Sequence, residues 1–417
     1  MSTTRRTVAN NGSKYTGAAH ILTKIDALGD ALEGELFERE EEIHGFKLAI
    51  LAKGNIFLVG LPGTGKTKLF DRATARISGA KMAGMLFTAH TRPEEVLGPL
   101  DIPSLRAGIL KHNIAGYLPD SHVFKGDEIW KPKLLPNILL EALAEYRFKQ
   151  GGSYIQIPLW SFLGTSNELP ADETLDAIYD RFLLRFEVKP LAERVNRLRM
   201  LTARAAGTEP AVPDPLIGKD EIEAAQGFVR NVHVPESVLA LIDDVGLKLT
   251  ERNIDPSNRR LANAIPLVQA EAWLDGRQEA HTSDVQALVH VGWKFPEQIP
   301  EVETVVLGMT NPRYAKAIEL AASVGTYSNE VEAVIKETDL VKRARVAQEL
   351  QVKMIRAAKD INLFAGTDVS GRTLNLILKS RRTMLTSGER LMTEVMHLSS
   401  KAAKIQAQAM AGEDEDD

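Results

Sequence analysis

The segment Gly60-Leu61-Pro62-Gly63-Thr64-Gly65-Lys66-Thr67 has the spacing G-x-x-x-x-G-K-T. Glycines at these steps let successive backbone N–H groups turn inward around an anion, and a helix that starts where the segment ends adds its dipole. The lysine can reach phosphate oxygens and the Thr67 hydroxyl can ligate Mg²⁺. The motif has this meaning only between a strand and a helix. Both are legible, as the apolar run Ile56–Val59 before it and a helical pattern from Lys68 to Ile77 after it. The reading is a site for a nucleoside triphosphate, ATP with Mg²⁺, held by Gly60, Pro62, Gly63, Thr64, Gly65, Lys66 and Thr67.

Hydrolysis needs more groups than binding. Asp127-Glu128 follows the third apolar run of this region, where one carboxylate can orient a metal-bound water and the other can polarise the attacking water. Asn167, in Thr165-Ser166-Asn167, ends the fourth run, where a neutral amide can position water against the γ-phosphate. Asp180-Arg181-Phe182-Leu183-Leu184-Arg185 precedes the fifth run and brings guanidiniums, which form bidentate charge-assisted bonds to phosphate and suit a finger reaching into a neighbouring chain. Ser257-Asn258-Arg259-Arg260 opens a later helix, a place from which one arginine could sense the γ-phosphate of its own chain. Taken singly, an exposed acidic loop, a turn asparagine and a surface salt bridge would look the same. Their order and spacing after the phosphate loop are what carry the reading.

The elements that must position these groups are readable too. Helical periodicity starts near Ala18, with Ile21, Leu22, Ile25, Leu28, Leu32 and Leu36 at three- and four-residue steps, and a second helix spans Glu40–Lys53 up to Gly54. Five buried strands are expected at Ile56–Val59, Met85–Thr88, Val123–Phe124, Leu159–Thr165 and Leu183–Val188. Two hairpins interrupt them: one over Ile109–Ala115 between Gly108 and Gly116, and one over Phe148–Ile157 around Gly151-Gly152. From Leu191 the pattern is helical, at Leu191–Ala206, Lys219–Val232, Pro235–Arg252, Ser257–Leu274 and Thr282–Val291, with Ser257 and Thr282 as N-caps. Pro210, Pro213 and Pro215 mark a surface loop over Gly207–Gly218, and Pro296, Pro300 and Pro312 mark a domain boundary near 295–312. Beyond it, one apolar stripe runs from Val331 to Ala358 and another from Leu374 to Ile405, separated by a turn at Phe364–Gly371. A long helical hairpin or coiled coil fits, as does a plain helical bundle.

The expected organisation is a flexible arm 1–17, an α/β nucleotide-binding part 18–190, a helical lid 191–307, a helical extension 308–412 and an acidic tail 413–417. Composition sets the class of protein. Hydrophobic content of 44 % and charged content of 26 % are those of an ordinary globular chain. There is no cysteine, so disulfides, thiol catalysis and cysteine-held metals are excluded. No apolar run approaches the ~20 residues of a membrane span, and the N-terminal residues lack the apolar core of a secretory signal, so the cytoplasm is the expected compartment.

The chain resembles MoxR-family AAA+ ATPases, most closely the RavA-like branch. The resemblance rests on Leu36–Glu40, Thr91–Leu100, Gly116–Pro119, Asp127–Lys131, Ser166–Pro170, Tyr179–Phe182, Ser257–Arg260 and Ala272–Arg277, and covers roughly residues 18–310. It implies an α/β P-loop core with a five-stranded parallel sheet, a helix-2 insert at 91–118, an all-α lid and a helical C-terminal extension. It also implies that Lys66 and Thr67 are the Walker A pair, Asp127 and Glu128 the Walker B pair, Asn167 sensor 1, Arg181 the arginine finger and Arg259 sensor 2, ahead of Arg260. The family forms rings, usually hexamers, acts on protein clients in a chaperone-like way, and is often paired with a von Willebrand factor A domain protein.

Two departures stand out. The family has an aliphatic run before its acidic pair, whereas Val123-Phe124 is followed here by Lys125-Gly126. A lysine in a central parallel strand is costly unless paired. Lys125 therefore pairs with a carboxylate, lies at an edge, or marks a site tuned for slow turnover. The second departure is the C-terminal region, which offers helices and no inserted β module. Two other functions compete with partner remodelling. A nucleic-acid motor is disfavoured by the net charge of −5 and by an insert whose only basic residues are Arg92, Arg106, Lys111 and His112. A nucleotide-gated scaffold with weak hydrolysis draws on Lys125-Gly126 alone.

Overall fold

The computed structural model describes residues 16–132, 136–170, 175–206, 213–365 and 371–395. The arm before residue 16, part of the 207–218 loop, the turn at 366–370, the last stripe beyond 395 and the acidic tail lie outside the described residues. The chain divides into two compact units, Met1–Val302 and Glu303–Asp417.

The first unit opens with helices α1 (Thr16–Glu33) and α2 (Glu40–Ala52). Ile21, Ile25, Leu28 and Leu32 form the buried face of α1, as their spacing dictates. Helix α2 stops at Lys53, which takes a left-handed φ of 55°. Next come β1 (Asn55–Val59), α3 (Lys66–Ala75), β2 (Ile77–Ser78), β3 (Met82–Leu86), α4 (Pro93–Leu97), α5 (Ile102–Arg106), β4 (Val123–Asp127) and α6 (Pro136–Glu145). Then follow β5 (Arg147–Gln150), β6 (Ser153–Gln156), β7 (Ser161–Ser166), α7 (Asp176–Tyr179) and β8 (Phe182–Glu187).

Five strands form one sheet in the order β3-β4-β7-β1-β8, and every adjacent pair is parallel. Strands β1 and β7 are buried along their whole length, which is why the apolar residues of β1 run unbroken rather than alternating. Helix α2 lies close on β8: a Cβ at Gly45 would meet the Phe186 ring at 2.2 Å.

The second expected hairpin is present as β5–β6, turned by Gly151 and Gly152 at φ of 59° and 92°. The first is not. Residues 109–115 form no strand pair with one another; Leu100 and His112 make an isolated antiparallel bridge, with α5 enclosed between them. The reason is competition for backbone partners. The Asp101 side chain accepts from Ser104 N at 2.9 Å and starts α5. The Gln150 side chain satisfies both His112 N (2.9 Å) and His112 O (2.7 Å), tying the segment to β5 instead.

The rest of this unit is helical: α8 (Arg194–Ala205), a short β9 (Ile217–Gly218) paired with β2, α9 (Lys219–Arg230), α10 (Glu236–Thr250), α11 (Asn258–Leu274) and a 3-10 segment Thr282–His290. Ser257 caps α11 as expected, accepting from Arg260 N at 3.3 Å. Thr282 does not cap its segment. His281 occupies that position, and the Asp284 carboxylate, held by Arg277, accepts from His281 N at 2.7 Å.

Helix α12 (Ile299–Thr310) crosses the junction of the units, and the second unit contains α13 (Pro312–Lys336), α14 (Leu340–Ala365) and α15 (Gly371–Arg390). The stripe expected as one helix from Val331 to Ala358 is thus two helices. Glu337 accepts from Thr338 N and Asp339 N, and Asp339 accepts from Val341 N and Lys342 N, so two carboxylates break one helix and start the next. Val324, Val331, Leu350, Met354, Ile361, Ile377 and Met384 meet in one core, which makes this a packed three-helix bundle. Among the described residues no helix is long and apolar enough to cross a membrane.

Candidate functional site

The sheet register brings the polar groups to one edge. Leu58 lies beside Thr165, and Thr165 beside Asp127, so β1, β7 and β4 end in a row. The chain just past each end carries Gly60, Asn167 and Glu128. This is the carboxyl edge of a parallel sheet, where such folds place ligands.

In the loop after β1, Gly63 and Gly65 have φ of 79° and 90°, with open space where a Cβ would point. An L-residue would be strained there, and these two positions turn the backbone N–H groups toward an anion. Gly60 has a different constraint: a Cβ would sit 2.3 Å from Val188 O, so its need is close packing against the end of β8. Pro62 is exposed, and the Thr64 hydroxyl donates to Leu61 O at 2.9 Å. Helix α3 begins at Lys66, with its free N–H groups and positive dipole end at the loop.

Lys66 Nζ donates to Gly60 O (2.6 Å), Leu61 O (3.0 Å) and Asn167 Oδ1 (3.0 Å). Desolvation lowers its pKa, while the charges of Glu128 and Asp127 oppose that shift. The other side of the Asn167 amide donates to Glu128 Oε1 at 2.5 Å. Glu128 has a left-handed φ of 55° and its Oε2 is buried without a hydrogen-bond partner. A non-glycine residue in that region beside an unsatisfied carboxylate oxygen is strain held at a site of chemistry. Asp127 Oδ1 accepts from Thr67 Oγ1 at 3.0 Å and from Thr165 Oγ1 at 2.5 Å.

These donor sets fit the implied groups. A hydroxyl and one carboxylate, with no cluster of three acidic or histidine side chains among the described residues, suit Mg²⁺ that takes its other ligands from phosphate and water. Thr67 and Asp127 would hold it, and it would supply charge neutralisation. The glycine turn and Lys66 suit the phosphates, and Glu128 is placed to accept a proton from water.

The Lys125 question has a local answer. Its side chain is half-buried and pairs with Asp71 on α3, so the ammonium leaves the sheet toward a carboxylate. At Gly126 a Cβ would meet Ile129 Cγ2 and the Phe162 ring at 2.8 Å, so no aliphatic side chain fits.

The two predicted arginines lie elsewhere. Arg181 precedes β8 at the amino edge of the sheet, where Asn55 Nδ2 donates to Arg181 O at 3.1 Å. Its guanidinium sits 3.7 Å from Asp180, and its pKa is lowered by burial and then by the charge of nearby Arg259. Arg259 is exposed at the start of α11 and shares that edge. It was expected over the γ-phosphate of its own chain; the structure puts it at the other end of the sheet. The cause is its neighbour. Arg260 is buried and donates to Asp180 O (3.1 Å), Phe182 O (3.0 Å), Leu183 O (2.7 Å) and Val291 O (2.8 Å), which nails the start of α11 to the amino end of β8. Burial depresses the Arg260 pKa to about 9, and Arg185 adds to the effect. Arg185 is likewise internal, donating to Phe182 O, Trp293 O and Tyr179 O.

Sequence reasoning missed Arg39 as a site residue. It is buried and donates to Thr64 O (3.1 Å) and Lys189 O (2.6 Å), tying the phosphate loop to the chain after β8. Its neighbour Glu38 accepts from Ala192 N, Glu193 N and Asn196 Nδ2, and these bonds lower its pKa against an opposing desolvation effect. The available signal was a charged cluster, Glu38–Glu42, starting a helix that leads into the phosphate-loop strand.

Residues 23–226 match the family model described as the MoxR domain in the MoxR-vWA-beta-propeller ternary systems, and residues 237–306 match an AAA lid domain. An uncharacterized protein of Methanocaldococcus jannaschii is 29% identical over 318 residues, covering 76% of this chain and 82% of that protein. Protein MoxR of Paracoccus denitrificans is 24% identical over 327 residues, covering 68% of this chain and 93% of its own. The crystal structure of a presumed ATPase from Cytophaga hutchinsonii shares the fold, with a TM-score of 0.56 at 18% identity over 70% of this chain and 95% of that one. None of these matches bears on the RavA-like branch.

Proposed function

We propose that this chain, whose residues 23–226 match a MoxR-domain model and 237–306 an AAA lid model, is a MoxR-type AAA+ ATPase that forms a ring, hexameric by family habit, and hydrolyses Mg²⁺-ATP to remodel a protein partner. The observation that carries the ring is the separation of the two halves of the site. Strand β1 alone puts about 16 Å between the level of Arg181 and the phosphate loop, at ~3.3 Å per residue. The Arg181 side chain is directed toward Ala177 O and Asp180 rather than along the sheet. Arg181 and Arg259 therefore serve the phosphates of the next chain, as finger and sensor acting in trans. Within one chain, Lys66 and the loop N–H groups hold the phosphates, Glu128 takes the proton of the attacking water, and Asn167 orients Glu128.

The name of the matched family model supports a von Willebrand factor A domain protein as the partner. The experiment is subunit mixing. Lys66→Ala, unable to hold phosphate, and Arg181→Ala, unable to complete a neighbour's site, are each expected to be inactive alone. Mixed, they regain part of the wild-type rate, because intact phosphate loops meet intact fingers. Wild-type turnover per chain rises with protein concentration and disappears in Glu128→Gln. An Arg181→Ala chain with full activity at any dilution would refute the trans reading.

A further inference from the structure

Helix α8 buries none of its residues. A lone helix of this length is marginal in water, so it needs a partner. Its half-buried positions are Asn196, which donates to Glu38, and Ala203. The opposite side carries Val195 (58% exposed), Leu198 (50%) and Leu201 (58%). At 100° per residue these three make one apolar stripe, bordered by Arg197 and by Arg199, which lies over the Phe37 ring, with Arg194 at its N-terminal end. The helix holds Arg194, Arg197, Arg199 and Arg204 and no acidic residue.

A face of opposite character lies on α10. Leu239 (41% exposed) and Leu247 (60%) flank Asp243 in an i, i+4, i+8 row, with Glu236 and Asp244 exposed beside it. The α8 face lies at the phosphate-loop end of the sheet, and the α10 face runs toward the other end, with Leu247 closest to it because the neighbouring Gly246 packs on Leu261 at the start of α11. Helix α8 starts just after the chain leaves the phosphate loop, where Glu38 holds Ala192 N and Glu193 N. Helix α10 packs on α11 and leads directly into the loop that opens on Arg259. We infer that the apolar, arginine-bordered face of α8 docks on the apolar, acidic face of α10 of a second copy of this chain. The inference rests on the trans reading of Arg181 and Arg259, which brings the neighbour's Arg259 edge to this chain's phosphate loop and so its α10 to this chain's α8. Such a head-to-tail contact uses different faces on the two copies, the kind that closes into rings. Opposite charge sets partner and register while the leucines supply the burial.

The test is charge exchange, read by sedimentation with and without ATP and by hydrolysis against protein concentration. Arg194→Glu with Arg199→Glu, and separately Asp243→Arg with Asp244→Arg, should each raise the concentration for half-assembly at least tenfold. Both variants should still bind a fluorescent ATP analogue, because neither change touches the nucleotide loop. The chain carrying all four exchanges should assemble again. Assembly of both two-site variants at wild-type concentrations would overturn the α8–α10 pairing and leave the ring intact. Disruption by the α8 variant alone would overturn it too, assigning that face to another occupant such as residues 207–212 or a different protein. A wild-type chain that stays monomeric at every concentration with ATP would defeat the ring and this contact together.

Discussion

Gly126→Ala and Lys125→Met act on adjacent residues of β4, yet their expected effects differ by more than an order of magnitude. The alanine Cβ would lie 2.8 Å from Ile129 Cγ2 and from two atoms of the Phe162 ring. That ring cannot swing aside, since Phe124 and Phe182 pack on it at centroid distances of 5.2 and 5.6 Å. Overpacking of this kind costs about 1–3 kcal/mol, which corresponds to a fall in Tm of roughly 2–12 °C at ~2–4 °C per kcal/mol. The strand has to move, and the next residues along it are Asp127 and Glu128. A displacement near 1 Å at a catalytic group costs up to ~100-fold in rate. Lys125, by contrast, pairs with Asp71 where the two side chains are 31% and 52% exposed. Such a pair is worth about 0–1 kcal/mol, so Lys125→Met should keep hydrolysis within ~5-fold of wild type. Steady-state Mg²⁺-ATP hydrolysis and thermal unfolding of both variants decide the matter. A Lys125→Met chain that loses activity more than tenfold beside a fully active Gly126→Ala chain would refute this reasoning and return Lys125 to a direct role in turnover.

Arg39→Ala removes two charge-assisted bonds to the carbonyls of Thr64 and Lys189, and should weaken binding of a fluorescent ATP analogue about tenfold while changing kcat less. Burial raises the Glu42 pKa from 4.5 to about 7, so the fold prefers its protonated form. The stability this gives is complete below the unfolded value and is lost as pH rises through about 7. At ~1.4 kcal/mol per unit the loss is capped near 3 kcal/mol, and Glu42→Gln should raise Tm at pH 8 but not at pH 4, which a pH series of unfolding curves checks. Arg260→Met leaves the carbonyls of Asp180, Phe182, Leu183 and Val291 without their donor, and should destabilise the first unit by about 3 kcal/mol or more in denaturant titrations.

What was legible in the sequence was whatever local periodicity and backbone chemistry decide. The strand core at Ile56–Val59 reads as an unbroken apolar run because both faces of the sheet are covered, and Leu183–Val188 reads as a strand even though it carries Arg185, which turns inward to backbone carbonyls. The β5–β6 hairpin was legible because Gly151-Gly152 supplies two consecutive left-handed residues. The expectations that failed turned on single side chains that bond backbone groups, some nearby and some from remote segments. Gln150 takes the backbone partners that a 109–115 hairpin would have used. Asp284 displaces Thr282 from the cap through a bond to His281 N. Glu337 and Asp339 split a stripe whose periodicity alone does not reveal the break. Arg259 was misplaced for a related reason. Its helix, its cap and its charge were all readable, but the edge of the sheet on which it sits is set by the four carbonyls that Arg260 finds there.

The Asn167 amide offers the sharpest check on how the nucleotide edge works. Its oxygen faces the Lys66 ammonium and its nitrogen faces the Glu128 carboxylate, an orientation fixed by the two charges. Asn167 thus holds Glu128 in place by donating to it, and Glu128 in turn keeps its Oε2 free for another partner. Asn167→Ala deletes the donor and leaves Glu128 unguided, which should cost one to two orders of magnitude in kcat if positioning is what Asn167 supplies. Asn167→Asp is the more informative change. It preserves shape and the contact to Lys66, but it sets two carboxylates at hydrogen-bond distance, where one of them takes up a proton near neutral pH. Hydrolysis should then fall at least as far as in Asn167→Ala at pH 7, with the acid limb of the pH–rate profile moved to higher pH. ATP binding, measured with Glu128→Gln as the reference, should stay within a few-fold because Lys66 keeps an oxygen partner. An Asn167→Asp chain with wild-type turnover and an unshifted pH profile would mean that the amide nitrogen does nothing for Glu128, and that the group guiding the attacking water lies on the neighbouring chain.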